Sequence, residues 1–313
     1  GGARTILLRG GTYRQQASLD GVTADLTFLA YGDETPILTA SELLTGWTAC
    51  TSADQAEVGA KYASMFKATI SLADLDHGER HLLNLYENGT RCDIAQDRVT
   101  DNAPHAWEDD ATFHTGAFNL SGTAIQSITD AAILGKYTEA QARNLRVAFY
   151  NGDNRAAMTS FSAFNVSTAT GTLTDQSKNQ HSSGASGHRY SLLNSTQAIT
   201  KGRWACRDDG NGTGTVYFWP NDPANLTADI EYSKRADVMD VANMQGDITM
   251  RGLHLVRASE DGIAKGVCFG SRTYDQTAKA GSVALENCVF GVSTGDNYGA
   301  VYLRQFAGGL SMH

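Results

Sequence analysis

Short runs of this chain carry an apolar residue at every second position and are broken by glycine or asparagine. That period lays alternate side chains on one face of a strand. Near the N-terminus, Ile6-Leu7-Leu8 precedes Arg9-Gly10-Gly11-Thr12-Tyr13, and Leu26-Thr27-Phe28 precedes Leu29-Ala30-Tyr31-Gly32. At an offset of 20, Ile6 falls on Leu26 and Leu8 on Phe28. The rhythm returns near the C-terminus at an offset of 35, where Ile248, Met250, Leu253 and Leu255 fall on Val283, Leu285, Cys288 and Phe290. Gly252 and Asn287 occupy the same corner of the two runs, and both residue types tolerate left-handed backbone. The pattern predicts stacked rungs of about 20 residues, with occasional loop insertions, around a common apolar axis. If the four apolar positions face inward, Thr249, His254 and Arg257 face outward.

A middle stretch, residues 105–190, breaks this rhythm. It holds the clearest helical pattern, Thr138 to Leu145, in which Thr138 suits the cap and Glu139 the first turn. Strand-like Arg146 to Tyr150 follows, then a polar Ser-, Asn- and Gly-rich tract from Asp175 to Gly187 that reads as a loop. The expected organisation is therefore coils and a hairpin over 1–104, an inserted β-rich subdomain over 105–190, and continuing coils over 191–313. No solenoid cap is visible at either end. The sequence is thus expected to belong to a longer polypeptide, or to have its ends covered by another subunit.

Composition narrows the function. The 313 residues are 41% hydrophobic and 19% charged, with a net charge of −9, so the chain can build a core. Its 25 Lys and Arg are scattered rather than grouped in a basic stripe, which argues against nucleic acid as a partner. No 18-residue apolar run predicts a membrane span. The five cysteines form no Cys-x-x-Cys pair and read as small buried hydrophobes, with Cys268 and Cys288 as the pair to bridge in an oxidising compartment. Glu108-Asp109-Asp110 reads as a hydrated loop rather than a metal site, and no motif calls for an organic cofactor.

Several segments in order resemble the right-handed parallel β-helix proteins that act on polysaccharides. They are Gly10-Gly11-Thr12-Tyr13-Arg14, Ala30-Tyr31-Gly32-Asp33-Glu34-Thr35-Pro36, Leu85-Tyr86-Glu87-Asn88-Gly89-Thr90-Arg91, and the run from Arg189 through Trp204 and Val216–Pro220 to Leu253. Asp33 is an extra residue relative to the Gly-Glu-x-Pro corner of that pattern. The resemblance implies an all-β fold: a right-handed parallel β-helix solenoid with an inserted β-rich subdomain. It also implies a polysaccharide or glycan partner, an extracellular or virion-associated setting and, for the tailspike type, a homotrimer. Such coils carry hydrolases, lyases and inert adhesins alike.

Candidate chemistry follows from the rungs. Asp261 and Asp296 share the 35-residue offset and would sit one rung apart. Carboxyls about 5 Å apart are the arrangement of a retaining glycosidase. Their rival role is as plain turn residues. Glu260 and Glu286 are weaker versions of the pair. His254 beside Arg257 would suit a lyase, as base and enolate-stabilising cation. Tyr217, Phe218, Trp219 and Tyr232 are candidate sugar platforms, although strand alternation exposes only half of that set, and Trp47 and Trp204 read as core. The expected function is polysaccharide binding with cleavage, glycoside hydrolysis ahead of β-elimination. A non-catalytic phage-tail or cell-surface adhesin is the alternative.

Overall fold

A computed structural model describes residues 2–19, 21–75, 84–98, 113–121, 124–150, 156–174, 189–227, 230–235, 237–242, 246–258, 265–270, 282–290, 301–304 and 310–312. Strands dominate these residues, so the all-β expectation holds. The chain forms two compact units, one of Gly1–Leu44, Leu72–Leu85 and Glu231–His313, the other of Thr45–Ser71 and Tyr86–Ile230.

The first unit contains three ladders in which every strand pair is parallel. One has five strands, in the order Arg4–Leu8, Leu26–Ala30, Ile248–Arg251, Val283–Glu286 and Leu310–Met312. The second stacks Gly11–Tyr13, Pro36–Thr39, His254–Val256 and Val289–Phe290. The third stacks Ala17–Ser18, Asp237–Ala242, Lys265–Gly270 and Val301–Arg304. Parallel neighbours cannot be joined by a tight hairpin, so the chain makes a long connection before each returns to its ladder.

Inward side chains stack by register. Phe28, Met250 and Leu285 align, as do Leu38 and Leu255, and all five belong to one buried cluster with Leu26, Ile248, Leu253 and Val283. The 35-residue offset is met in the first two ladders, where Ile248 pairs with Val283 and His254 with Val289, and becomes 34 in the third, where Val267 pairs with Val301. Between those two ladders the chain turns at a single left-handed residue, Gly252 (φ 69°) in one rung and Asn287 (φ 51°) in the next. The N-terminal offset is corrected by two residues: Ile6 lies beside Phe28 and Leu8 beside Ala30, an offset of 22 rather than 20. A slip of two leaves every side chain on its own face, so alternation alone does not distinguish the two registers. Gly246 is needed for close packing, since a Cβ there would sit 2.2 Å from the Ala24 carbonyl oxygen.

The second unit holds sheets of a different kind. In one, Thr48–Ala49, Phe66–Ser71, Thr213–Phe218 and Arg203–Asp208 run antiparallel, and Thr90–Ile94 joins Arg203–Asp208 in parallel. The other is an antiparallel sheet built from Gln96–Asp97, Arg189–Leu193, Arg146–Tyr150, Ala156–Asn165, Thr170–Leu173, Ala124–Thr129 and Ala117–Ser121. Positive φ at Asn88 (47°) and Gly89 (74°) closes the predicted hairpin before Thr90. The predicted helix is one turn, Glu139–Ala142, closed by a capping box between Thr138 and Gln141.

Cys50, Cys92, Cys206 and Cys288 are free thiols. The Cys268–Cys288 bridge is therefore not formed; the Cys288 sulfur lies 3.5 Å from the carbonyl oxygens of Met250 and Glu286. Burial pushes the Cys50 thiol up to about 11 and Cys92 to about 12, so both are held as inert neutral thiols.

Candidate functional site

The first unit presents regular outward rows beside its core. In the five-stranded ladder Thr5, Thr27, Thr249, Ala284 and Ser311 are in register, one residue per strand, between the inward stacks. The next outward row is Leu7, Leu29, Arg251 and Glu286, where Leu7 is 55% exposed and an Arg251–Glu286 ion pair joins adjacent rungs. Past the corner, Arg9 binds Glu34 and lies 4.6 Å from the centre of the Tyr31 ring, which is 48% exposed. The second ladder continues the surface with Thr12, Ile37, His254 and Val289 in register. Thr249 and His254 thus face away from the core. Neighbouring members of a row are separated by the interstrand spacing, about 4.8 Å.

Arg257 departs from this surface. Its backbone is left-handed (φ 63°), its carbonyl accepts from Ser233 Oγ at 3.1 Å, and its guanidinium binds Glu231. Glu231 also takes a two-pronged contact from Arg14, at 2.9 and 3.2 Å, and a hydrogen bond from Ser41 Oγ. Arg14, Ser41 and Arg257 each follow a strand of the second ladder, in its first, second and third rungs. Burial alone would raise the Glu231 carboxyl, but the bonds from Arg14 and Ser41 and the charge of Arg257 bring it to about 2. It is a permanent anion at neutral pH, which suits a clamp across rungs and not a proton donor. Of the expected His254–Arg257 pair, the arginine thus has its charge committed to Glu231.

Asp261, Asp296 and Glu260 lie outside the described residues, as does Glu108-Asp109-Asp110. Among the described residues, Asp25 and Asp247 are carboxylates on successive strands. Each accepts a backbone N–H from the next rung, Asp247 N on Asp25 at 2.9 Å and Ser282 N on Asp247 at 2.7 Å. The Ser282 bonds hold Asp247 below the usual carboxylate range, so this pair caps strand starts.

Of the expected sugar platforms in the second unit, Tyr217 is corrected. Val216, Tyr217 and Phe218 are all buried, because their strand is covered on both faces, and Tyr217 has no ring face for a sugar. Trp219 is half-buried against the cluster of Cys50, Met65 and Tyr217. Trp204 is core, as expected, and donates its indole N–H to the Cys92 carbonyl. The same unit holds a polar network: His114 Nε2 is 3.0 Å from Asp97 Oδ1, and the Tyr137 hydroxyl donates to Asp97 Oδ2 at 2.7 Å and lies 2.8 Å from Ser195 Oγ. Burial would raise Asp97, but its bonds from His114 and Tyr137 outweigh that and lower it. His114, Tyr137 and Ser195 are buried, so the network braces the core. Among the described residues no three His, Cys, Asp or Glu converge on a metal position, and no helix is long and apolar enough to cross a membrane.

Solved structures supply a likeness of fold. One titled "Glycoside hydrolase" matches 80% of this chain and 43% of its own with a TM-score of 0.55 at 12% identity. Another, "The complex structure of XylC with xylose", matches 90% of this chain and 36% of its own with a TM-score of 0.37 at 11% identity. The chain therefore spans less than half the length of either. No protein-family model matches the sequence, and no curated protein does.

Sequence reasoning missed Glu231 and Tyr31 as notable side chains. The exposed Tyr31 beside its corner glycine was visible as a motif; the clamp on Glu231 was not, because Arg14 lies 217 residues away.

Proposed function

We propose that the first unit is a right-handed parallel β-helix that binds an extended polysaccharide on its outward rows, and that the protein cleaves that polymer by glycoside hydrolysis. The reading rests on one observation above others: hydroxyl side chains from strands distant in sequence stand in register on one open face. A polymer of repeating units meets such a ladder with the same contact again and again. The likeness to a structure titled as a glycoside hydrolase favours hydrolysis by analogy of fold. The ion pair of Arg257 with Glu231 supports keeping β-elimination second.

Asp261 and Asp296 are the proposed nucleophile and acid/base, with Glu260 as the alternative carboxylate. They share the 35-residue offset observed before them at Ile248–Val283 and His254–Val289, and the ladder after them, at Val267–Val301, has an offset of 34, so they would lie on adjacent rungs within one residue of a common level. Residues 105–190 are proposed as the inserted β-rich part, and an extracellular or virion-associated setting with homotrimeric assembly accompanies the tailspike form. The competing reading is a rigid adhesin, favoured by the same regular face without need of carboxylates.

A reducing-end assay over a polysaccharide panel separates them. The hydrolase reading expects sugar release that Asp261→Asn and Asp296→Asn each lower by two or more orders of magnitude. Release that survives both substitutions would remove the proposed pair. Binding without release from any polymer would favour the adhesin, and an unsaturated, ultraviolet-absorbing product would indicate a lyase.

A further inference from the structure

Resting on that glycan-binding reading, we infer that the polymer is an uncharged, linear glycan lying across the strands of the five-stranded ladder, held by Thr5, Thr27, Thr249 and Ser311 and flanked by Leu7, Leu29 and Tyr31. Five strands make four interstrand steps, so the row from Thr5 to Ser311 extends over roughly 19 Å, enough for several sugar units. Among the described residues, none of the Thr5, Thr27 and Thr249 hydroxyls is bonded to another side chain, so all three are open to a ligand. A hydroxyl both donates and accepts and can therefore answer a sugar hydroxyl in either sense. The β-branched threonine side chain has few rotamers to lose, which keeps the ordering cost of binding low.

Charge selects between neutral and acidic polymers. Among the described residues the face carries two arginines, and each is already paired: Arg251 with Glu286 and Arg9 with Glu34. Glu34 further accepts the Gly10 backbone N–H at 2.5 Å, which fixes that carboxylate beside Arg9. A uronate polymer needs uncommitted cations, and here it would set its own carboxylates against Glu286 and Glu34 in a protein of net charge −9. Beside these pairs, the five-stranded ladder and its corner offer hydroxyl and hydrocarbon: Leu7 and Leu29 stand next to the threonine row, and Tyr31 is fixed at its corner under Arg9. Leucine and tyrosine faces suit the C–H faces of neutral sugar rings.

The test is titration calorimetry of the chain against soluble neutral polymers (mixed-linkage glucan, mannan, xylan) and against polygalacturonate and alginate, each at low and high salt. The variants are Thr27→Val with Thr249→Val, which remove hydroxyls while keeping shape, and Tyr31→Ala; circular dichroism and thermal melting confirm that they fold. Expected are binding to at least one neutral polymer with little salt dependence, about tenfold weakening in the double valine variant, and no uronate binding. Neutral binding that the valine and Tyr31 variants leave unchanged overturns the assignment of this face, with glycan binding itself intact. Tighter, salt-sensitive binding of polygalacturonate or alginate overturns the uncharged substrate class alone. Absence of binding to every polymer overturns both this inference and the reading beneath it.

Discussion

Replacing Glu231 with glutamine tests whether the clamp across the rungs holds the first unit together. The substitution keeps the side chain's shape and removes its charge, so the Arg14 and Arg257 guanidiniums lose the carboxylate they share. In the folded chain the Glu231 carboxyl drops from 4.5 to about 2, which is worth about 3 kcal/mol of folded-state stability above pH 4.5. That agrees with the 3–5 kcal/mol typically lost when one partner of a buried ion pair is removed. The sign follows from the direction. The folded protein keeps this carboxylate charged where the unfolded chain takes up a proton, so the contribution is complete above about pH 4.5 and fades as pH falls towards 2. Amide hydrogen exchange in Pro36–Thr39 and His254–Val256 is the direct assay, because these strands adjoin the clamp. At pH 7 Glu231→Gln should exchange about two orders of magnitude faster there. Urea unfolding followed by far-ultraviolet circular dichroism should show the gap between wild type and variant shrinking from pH 7 to pH 2.5. A gap below about 1 kcal/mol at pH 7, or one that does not narrow with acid, would refute the clamp as a stabilising element. Adding Arg14→Met to Glu231→Gln should recover part of the loss, because one of the two cations that shared the carboxylate is then gone.

Other substitutions address the stack and its corners. Met250→Ala empties a fully buried position between Phe28 and Leu285 and should cost about 2–5 kcal/mol in urea unfolding, with a smaller loss counting against a tight inward stack. Asn287→Gly should be near neutral, whereas Asn287→Val should cost about 1–2 kcal/mol, since its φ of 51° is costly for a β-branched residue. Gly246→Ala sets a methyl against the Ala24 carbonyl, a backbone clash that no side-chain rotation relieves, and should lower the melting temperature by several degrees. Thr138→Ala removes the helix cap in the second unit and should cost about 1 kcal/mol, read by the same unfolding curves.

Much of the first unit is legible in the sequence, for a definable reason. Period-two alternation reports which face a residue occupies, and a glycine or asparagine between two such runs reports a left-handed corner, so the pairing of Ile248 with Val283 and the matching corners at Gly252 and Asn287 could be anticipated. Alternation is silent about a slip of two, which is why Ile6 was placed beside Leu26 rather than Phe28. It is equally silent about a strand buried on both faces, which is why Tyr217 was read as a platform.

Side-chain partnerships lay further out of reach. Arg257 followed an outward-facing strand and carried the charge a lyase would use, and nothing near it in sequence named Glu231 or Arg14. What the chain's order of residues determined by itself is local: strand faces, corners, the hairpin at Asn88-Gly89, the cap at Thr138. Tertiary structure alone decided which strands became neighbours, which arginines were consumed by carboxylates, and which hydroxyls stood together in an open row. Those outcomes depend on distances between segments hundreds of residues apart, and such distances exist only once the chain has folded.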